Sequence, residues 1–303
     1  QLVSERWARS SFWCYLIGVI FFLPGIILTI HFALATGASL VFIALLIYLV
    51  VIARTVRRAT RRDVITWHMV VALAGLAAGV TAGYLLAGSK GTGVLGSMTL
   101  RLMAAHAVMM LAGWVMIMFN GVAYRLVGMF TLAENRIWKR VAWAELIFSA
   151  IGPWVLSAGL LLSAPRVVLA AGATSVVIGQ ALFAAQLVHL YRVRKKRGFD
   201  IHIPFALLAA AAGCLAATLL AGAFWSDTTA ASNIWVAVGW LAIAGVALTA
   251  IQGFFYKIST FLVWLYRYAP MAGKSKVPRI EELYSRRLGL VGWGFWMAAL
   301  AGS

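Results

Sequence analysis

Long apolar runs separated by short polar segments dominate the pattern of this chain. They are rich in Leu, Ala, Gly and Val and do not alternate between polar and apolar positions, as the strands of a membrane barrel would. A helix needs ~20 such residues to cross ~30 Å of hydrocarbon. The pattern therefore predicts an all-α polytopic membrane protein with eight or nine transmembrane helices. The runs cover residues 11–36, 38–53, 64–87, 98–124, 140–163, 166–190, 201–224 and 233–258, and a ninth starts at 288.

Composition agrees with this pattern. Hydrophobic residues make up 63% of the 303 residues, charged residues only 11%, and the mean hydropathy is +0.94. A soluble domain of this size needs a more polar surface. The lipid bilayer is therefore the first partner that the sequence predicts.

The net charge of +18 is concentrated in alternate connections between the apolar runs. Five Arg fall within 54–62 and five Lys or Arg within 192–197, with more in 134–140 and 267–287. The connections between these are almost uncharged. This is the positive-inside pattern, which predicts a multi-pass protein of a bacterial-type inner (cytoplasmic) membrane with its basic loops in the cytoplasm. Topology accounts for the charge, so no nucleic acid is predicted as a partner. The weakly charged connections are 36–39, 88–97, 164–165 and 225–232.

One short pattern occurs twice. Residues 120–126 read NGVAYRL and residues 252–258 read QGFFYKI. Each has an amide and a glycine, then a tyrosine followed by a base. The offset in sequence from the first stretch to the second is called the repeat offset below. The basic segments also correspond, since each is followed by a helix with an early histidine, at His68 and His202. At a larger offset, LVSERW at 2–7 is echoed by LYSRRL at 283–288.

These correspondences predict tandem four-helix units. We place the first at 1–135 and the second at 136–282, with 283–303 as the start of a third. An even number of spans in each unit keeps the copies parallel in the membrane. The chain starts at Gln1 rather than Met, and its last apolar run ends after 16 residues at Ser303, so we expect the sequence to be cropped at both ends.

Two histidines are candidates for a cofactor site. His31 lies about five residues from the predicted outer end of the first run, and His106 about seven from that of the fourth, so both are expected at a similar depth. An ionisable side chain inside a membrane is costly and tends to mark a site. Two imidazoles on facing helices can ligate a heme b. The alternative is a hydrogen bond from each histidine to a neighbouring helix, with no metal.

Methionines accompany one of these histidines. Met103 and Met110 stand at −3 and +4 from His106 and therefore share its helix face. Thioether and imidazole together suit copper(I), although methionines at helical spacing also serve as core filler. Glu145, inside the fifth run, is predicted either to relay protons or to form an ion pair with Arg125 or Lys257.

The stretch AAHAVMMLAGWVMIMFNGVAYRLVGMF at 104–130 resembles a helix of subunit I of the heme–copper oxidase superfamily. The resemblance is closest to its shorter relatives, such as the nitric-oxide-response heme–copper membrane proteins. It implies twelve helices in three arcs for the full chain, and it places His106 where the family binds copper. The family also places two heme-ligating histidines in a helix that corresponds to residues 233–266, and these residues contain none.

Three functions remain open at this point. The resemblance implies a heme-binding or heme–copper protein, an oxidoreductase if it is an enzyme, used in electron transfer or in handling O2 or NO. An electron-donor protein or other membrane subunits would then be its partners. The second function is a cofactor-free scaffold or anchor subunit of a larger membrane complex. The third is a transporter, which repeats and intrahelical prolines suggest but which usually needs charged residues at the membrane midplane.

Overall fold

The computed structural model describes residues 4–60, 62–195, 200–226 and 232–302, and its regular elements in these ranges are helices. The first eight helices are long and apolar enough to cross a membrane, which confirms the predicted class. Short 3₁₀ turns cover Glu134–Arg136 and Ile280–Leu283. The helices are α1 Glu5–Ile27, α2 His31–Arg57, α3 Val64–Thr92, α4 Met98–Thr131, α5 Lys139–Leu161, α6 Arg166–Val193, α7 His202–Trp225, α8 Asn233–Met271 and α9 Arg286–Ala301.

The first connection lies earlier than predicted. We expected a loop at 36–39, but these residues are inside α2, and the chain turns at 28–30, with Thr29 at a φ of 56°. The small residues around Gly37 that looked like a loop serve helix packing instead. A Cβ on Gly37 would lie 2.3 Å from the backbone nitrogen of Phe22, so only glycine lets α1 and α2 approach this closely. His31 consequently begins α2 and does not belong to the first helix.

Polar caps fix the starts of several helices. Asp63 Oδ1 accepts a hydrogen bond of 2.9 Å from the Thr66 amide at the start of α3. Ser4 caps α1 and Ser285 caps α9, each accepting from the amide three residues later at 3.4 Å. Ser4 and Ser285 hold the same position in LVSERW and LYSRRL. The sequence echo therefore coincides with the same local structure at two helix starts.

Both α4 and α8 contain a π-helical segment, in which the helix widens to accommodate an extra residue. One segment of each helix, Met109–Met116 in α4 and Leu241–Leu248 in α8, is followed by α-helix, from Ile117 and Thr249 respectively. The offset between these two segments equals the repeat offset between NGVAYRL and QGFFYKI, and α8 has a further π-helical segment at Trp264–Tyr268.

Close helix contacts correspond in a similar way. A Cβ on Gly121 would lie 2.5 Å from that of His68, and one on Gly253 would lie 2.3 Å from that of Phe205. The two glycines are related by the repeat offset, and their two contact residues by a slightly larger one. The contact between α3 and α4 thus has a counterpart between α7 and α8. The boundaries predicted for the tandem units, at 135 and 282, stay a prediction.

The described residues form two compact units, which divide the chain differently from the predicted repeats. The first unit takes residues 1–121 and 146–178, and the second takes 122–145 and 179–303. In the first unit α1 packs along α2, and α3 packs against the first half of α4. In the second unit the alanine-rich α7 is the most buried helix and packs against α8. A division by compactness does not test an internal duplication.

The orientation of the chain stays a prediction and can be tested by labelling. After Cys14 and Cys214 are replaced by Ser, we expect a cysteine at Thr228, outside the described residues, to react with a membrane-impermeant maleimide only from the outer side. The matched position is Lys274, exposed and in a basic connection, which we expect to react only after the membrane is opened. The reverse result would invert the predicted topology.

Candidate functional site

The site begins with a row of glycines on α3. Gly75, Gly79 and Gly83 recur at every fourth residue and therefore face the same way. Gly75 meets the backbone of Gly113 on α4, since a Cβ there would lie 2.2 Å from the Gly113 carbonyl oxygen. Farther along α3 the row leaves room for larger side chains of α4. The close approach at Gly75 thus sets the spacing of the two helices beside the site.

A cavity of about 650 Å³ lies in the first unit, between helices α1 to α4. Its wall is mostly apolar and includes Phe22, Leu34, Phe42 and Val80. Ligand pockets in proteins commonly measure about 300–1,000 Å³ and are mostly apolar with a few placed polar groups. The volume therefore suits a ligand of cofactor or lipid-tail size.

His106 projects from α4 into the wall of this cavity. Its Nδ1 lies 2.7 Å from the carbonyl oxygen of Gly79. A carbonyl can only accept a hydrogen bond, so Nδ1 carries a proton and donates, and in the neutral tautomer that this bond selects the lone pair is on Nε2. Nε2 makes no hydrogen bond within the described chain. The ring rests on Gly83, where a Cβ would lie 2.8 Å from Cε1, so this glycine leaves the space that the imidazole occupies.

The two predicted methionine ligands line the same cavity. Met110 packs against Gly79, where a Cβ would lie 2.6 Å from its sulfur. Met103 is 51% exposed and Tyr84 is 40% exposed, so part of the cavity wall lies at the outer surface of the helices. One imidazole and two thioethers on a single helix face are donors that copper(I) accepts.

His31 is not brought to this cavity. It is exposed at the first position of α2, and its ring packs beside Gly91, where a Cβ would lie 3.3 Å from Nδ1. Gly91 is eight residues beyond Gly83, which is about 12 Å along the axis of α3. Of the predicted ligands, the structure therefore gathers His106, Met103 and Met110 and leaves His31 apart. No group of three or more His, Cys, Asp or Glu suited to a metal is found among the described residues.

The remaining predicted site residues lie in the second unit. The hydroxyl of Tyr124 donates to Glu145 Oε2 at 3.2 Å, and both side chains are fully buried. Arg125 is exposed. The ion pair left open for Lys257 is formed with Asp200, a residue that the sequence analysis did not single out.

Asp200, His202 and Lys257 form a buried polar cluster at the start of α7. Lys257 Nζ donates to Asp200 Oδ2, and His202 Nδ1 lies 2.8 Å from Asp200 Oδ1. Burial raises the pKa of the Asp200 carboxyl, but the hydrogen bonds and charges of His202 and Lys257 outweigh it and lower that pKa to about 2. Lys257 also lies 4.9 Å above the ring of Phe130, a cation–π contact. The cluster is a charged anchor between α7 and α8.

Two of the other histidines are buried although they closely follow basic segments. His68 and His202 are 0% exposed. His68 Nδ1 donates to the Val64 carbonyl at 2.8 Å. His189 stacks on Trp138 with ring centroids 3.7 Å apart. His68 and His189 therefore have structural partners close at hand.

Comparison with known proteins found no matching family model, no matching curated protein and no matching solved structure. The resemblance to the heme–copper superfamily consequently rests on the sequence, on the stretch at 104–130 and more broadly on the predicted four-helix units.

Proposed function

We propose that this chain is an integral membrane heme-binding protein, in which His106 is the axial ligand of a b-type heme held in the cavity between α1 and α4. Its use would be electron transfer or the handling of O2 or NO. The observation that carries the proposal is the hydrogen bond from His106 Nδ1 to the Gly79 carbonyl. It leaves the lone pair of Nε2 available to bind iron, beside a cavity of suitable size.

The residues at the cavity fit such a ligand. A metal-ligating histidine almost always donates its other ring nitrogen to a carbonyl or carboxylate, and this bond fixes both tautomer and ring orientation. Gly79 supplies that carbonyl and Gly83 supplies the space for the ring. The apolar wall around the site excludes water, which tunes the redox potential of a heme. A bound heme supplies the one-electron and gas chemistry, while the protein orients it.

Copper is a second candidate because of the two methionines. Met103 and Met110 line the cavity together with His106, and thioethers favour the reduced ion. The heme–copper form of the proposal would use the cavity for both groups. A copper-only form would use the face of α4 without a porphyrin, so metal analysis separates the two.

The wider architecture belongs to the same proposal. Tandem four-helix units with cytoplasmic basic loops, twelve helices in a full-length protein, and an electron-donor protein or further membrane subunits as partners would follow from an oxidase-like ancestry. The π-helical segments Met109–Met116 and Leu241–Leu248, which are related by the repeat offset, support the duplication. A cofactor-free scaffold or a transporter is the alternative, and either one predicts a colourless protein.

The test is the absorption spectrum of the protein purified from heme-supplemented cells. We expect the wild type to show a Soret band and His106→Gly to lose it, because the variant has no ligand for the iron. Adding imidazole to His106→Gly should restore the band by filling the vacated space. His189→Ala is the matched control, since His189 stacks on Trp138 outside the cavity, and it should keep the band.

Other outcomes have definite meanings. The wild type could instead be colourless and bind copper, and lose the copper when Met103 and Met110 are both replaced by Leu. That result would refute the heme form of the proposal and support the copper-only form. A wild type with neither heme nor copper refutes the proposal and favours the scaffold. A Soret band that survives in His106→Gly without imidazole would place the ligand elsewhere.

A further inference from the structure

We infer that one end of the cavity is a binding site for the anionic head of an amphiphile, and that Lys90 is the group that holds it. The inference deepens the proposed function, because the two carboxylates of a heme are such a head. It does not depend on iron ligation, since the phosphate of a lipid carries the same chemistry. It concerns the end of the cavity formed by the last turn of α3 and the following connection.

The cavity is apolar along most of its length and polar at this end. Lys90 is the only Asp, Glu, Lys or Arg among the residues found to line it. The hydroxyls of Ser89 and Thr99 lie at the same end, and Gly93 and Gly96 add no side chains there. A ligand with an apolar body and one charged edge matches a cavity that is apolar along its length and polar at one end.

Lys90 has no charge partner within the described chain. Its Nζ donates to the carbonyl oxygen of Ile26 at 2.8 Å, and it forms no ion pair. An ammonium has three donors, so two remain available for an anion. The connection at 88–97 is otherwise uncharged and is predicted to lie outside the membrane on the side where cations are rare. A lone cation at one end of an apolar cavity therefore needs an explanation beyond topology.

The spacing along α3 relates this end to His106. Lys90 is seven residues beyond Gly83, on which the His106 ring rests, and this corresponds to about 10 Å along the helix. A flat body centred near His106 would thus bring groups at its edge towards Lys90. Both propionates of heme b lie on one edge of the porphyrin, and that edge would face the Gly93 end of α3.

The rival explanation is structural. Ile26 is in the last turn of α1, where carbonyls lack helical partners, and Lys90 caps one of them. If Lys90 only caps the helix, its replacement lowers the stability of the protein by the same amount whether the bound ligand is charged or neutral. A head-group site predicts instead that the loss depends on the charge of the ligand.

The test compares heme b with its dimethyl ester, in which both carboxylates are neutral. We expect the wild type to bind heme b about tenfold more tightly than the ester, which is about 1.4 kcal/mol, since charge-assisted hydrogen bonds are stronger than neutral ones. Lys90→Met should bind both with equal affinity, and Lys90→Arg should keep the preference. Arg101→Met is the matched control, because Arg101 is an exposed cation of α4 that does not line the cavity, and it should behave as the wild type.

A second arm uses lipid. Spin-labelled phosphatidylglycerol should associate with the wild type more than labelled phosphatidylcholine does, and Lys90→Met should lose the difference. Lipid preference without any porphyrin binding would refute the heme function and leave the head-group site in place. Equal binding of heme b and its ester, together with no lipid preference, would overturn the inference. So would a Lys90→Met variant that keeps either preference.

Discussion

Lys257→Met is expected to lower the free energy of unfolding by about 3–5 kcal/mol, because it leaves the Asp200 carboxylate buried without its cation. The side chains of Lys257 and Asp200 are only 3% and 4% exposed, so water cannot replace the lost partner. The measurement is a denaturant titration of the purified protein in detergent, followed by circular dichroism.

Two further variants make this result specific. Lys139→Met removes an exposed lysine at the start of α5 and should change stability by less than about 1 kcal/mol. The double variant Asp200→Asn with Lys257→Met should recover part of the loss, because no charge is then left buried. A double variant that is less stable than Lys257→Met alone would show that the pair is not the source of the effect.

The same pair gives stability a definite pH dependence. The pKa of Asp200 is lowered from 3.8 to about 2 in the folded protein, so the folded state favours the ionised carboxylate. Its contribution is therefore complete above pH 3.8 and is lost as the pH falls through about 2. Asp200→Asn should remove this loss of stability between pH 3.8 and about 2. At neutral pH the variant should have a lower free energy of unfolding than the wild type.

Gly75→Ala is the second change for which we expect a large effect. The new Cβ would lie 2.2 Å from the Gly113 carbonyl oxygen, and backbone cannot move aside as a flexible side chain can. Overpacking of this kind costs about 1–3 kcal/mol, and a backbone clash belongs at the upper end. Separating α3 from α4 should also break the bond from His106 to Gly79 and weaken the Soret band.

Gly88→Ala is the control for this change. Gly88 lies on the same helix, and nothing stands within 4 Å of a Cβ placed there. Alanine should therefore be neutral or stabilise the helix by up to about 1 kcal/mol. If Gly75→Ala were as stable as Gly88→Ala in a denaturant titration, the close contact of α3 with α4 would be refuted.

The helices could be predicted from the sequence because each one is a long apolar run. The connection between α1 and α2 could not be placed from the sequence. A glycine such as Gly37 can either end a helix or let two helices pack closely, and the sequence does not distinguish the two. The π-helical segments were missed for a similar reason. Their residues, from Met109 and from Leu241, are as apolar as those of the α-helix around them.

The site was predictable only where its residues share one helix. Met103, His106 and Met110 are related by helical periodicity, and the structure places them at one cavity. The partner of His106 is a backbone carbonyl on another helix, at Gly79, which no side-chain pattern reveals. The partner of Lys257 lies 57 residues away in the sequence, beside a basic segment, and no local pattern relates the two positions.

The exposed part of the cavity wall, at Tyr84 and Met103, affects how any ligand arrives. It faces the surface that a membrane would cover, so an apolar ligand reaches it by diffusing within the lipid rather than from water. Occupancy then follows the mole fraction of ligand in the bilayer or micelle. Doubling the detergent at constant total ligand would dilute that fraction and shift the apparent Kd about twofold, although the total ligand concentration is unchanged.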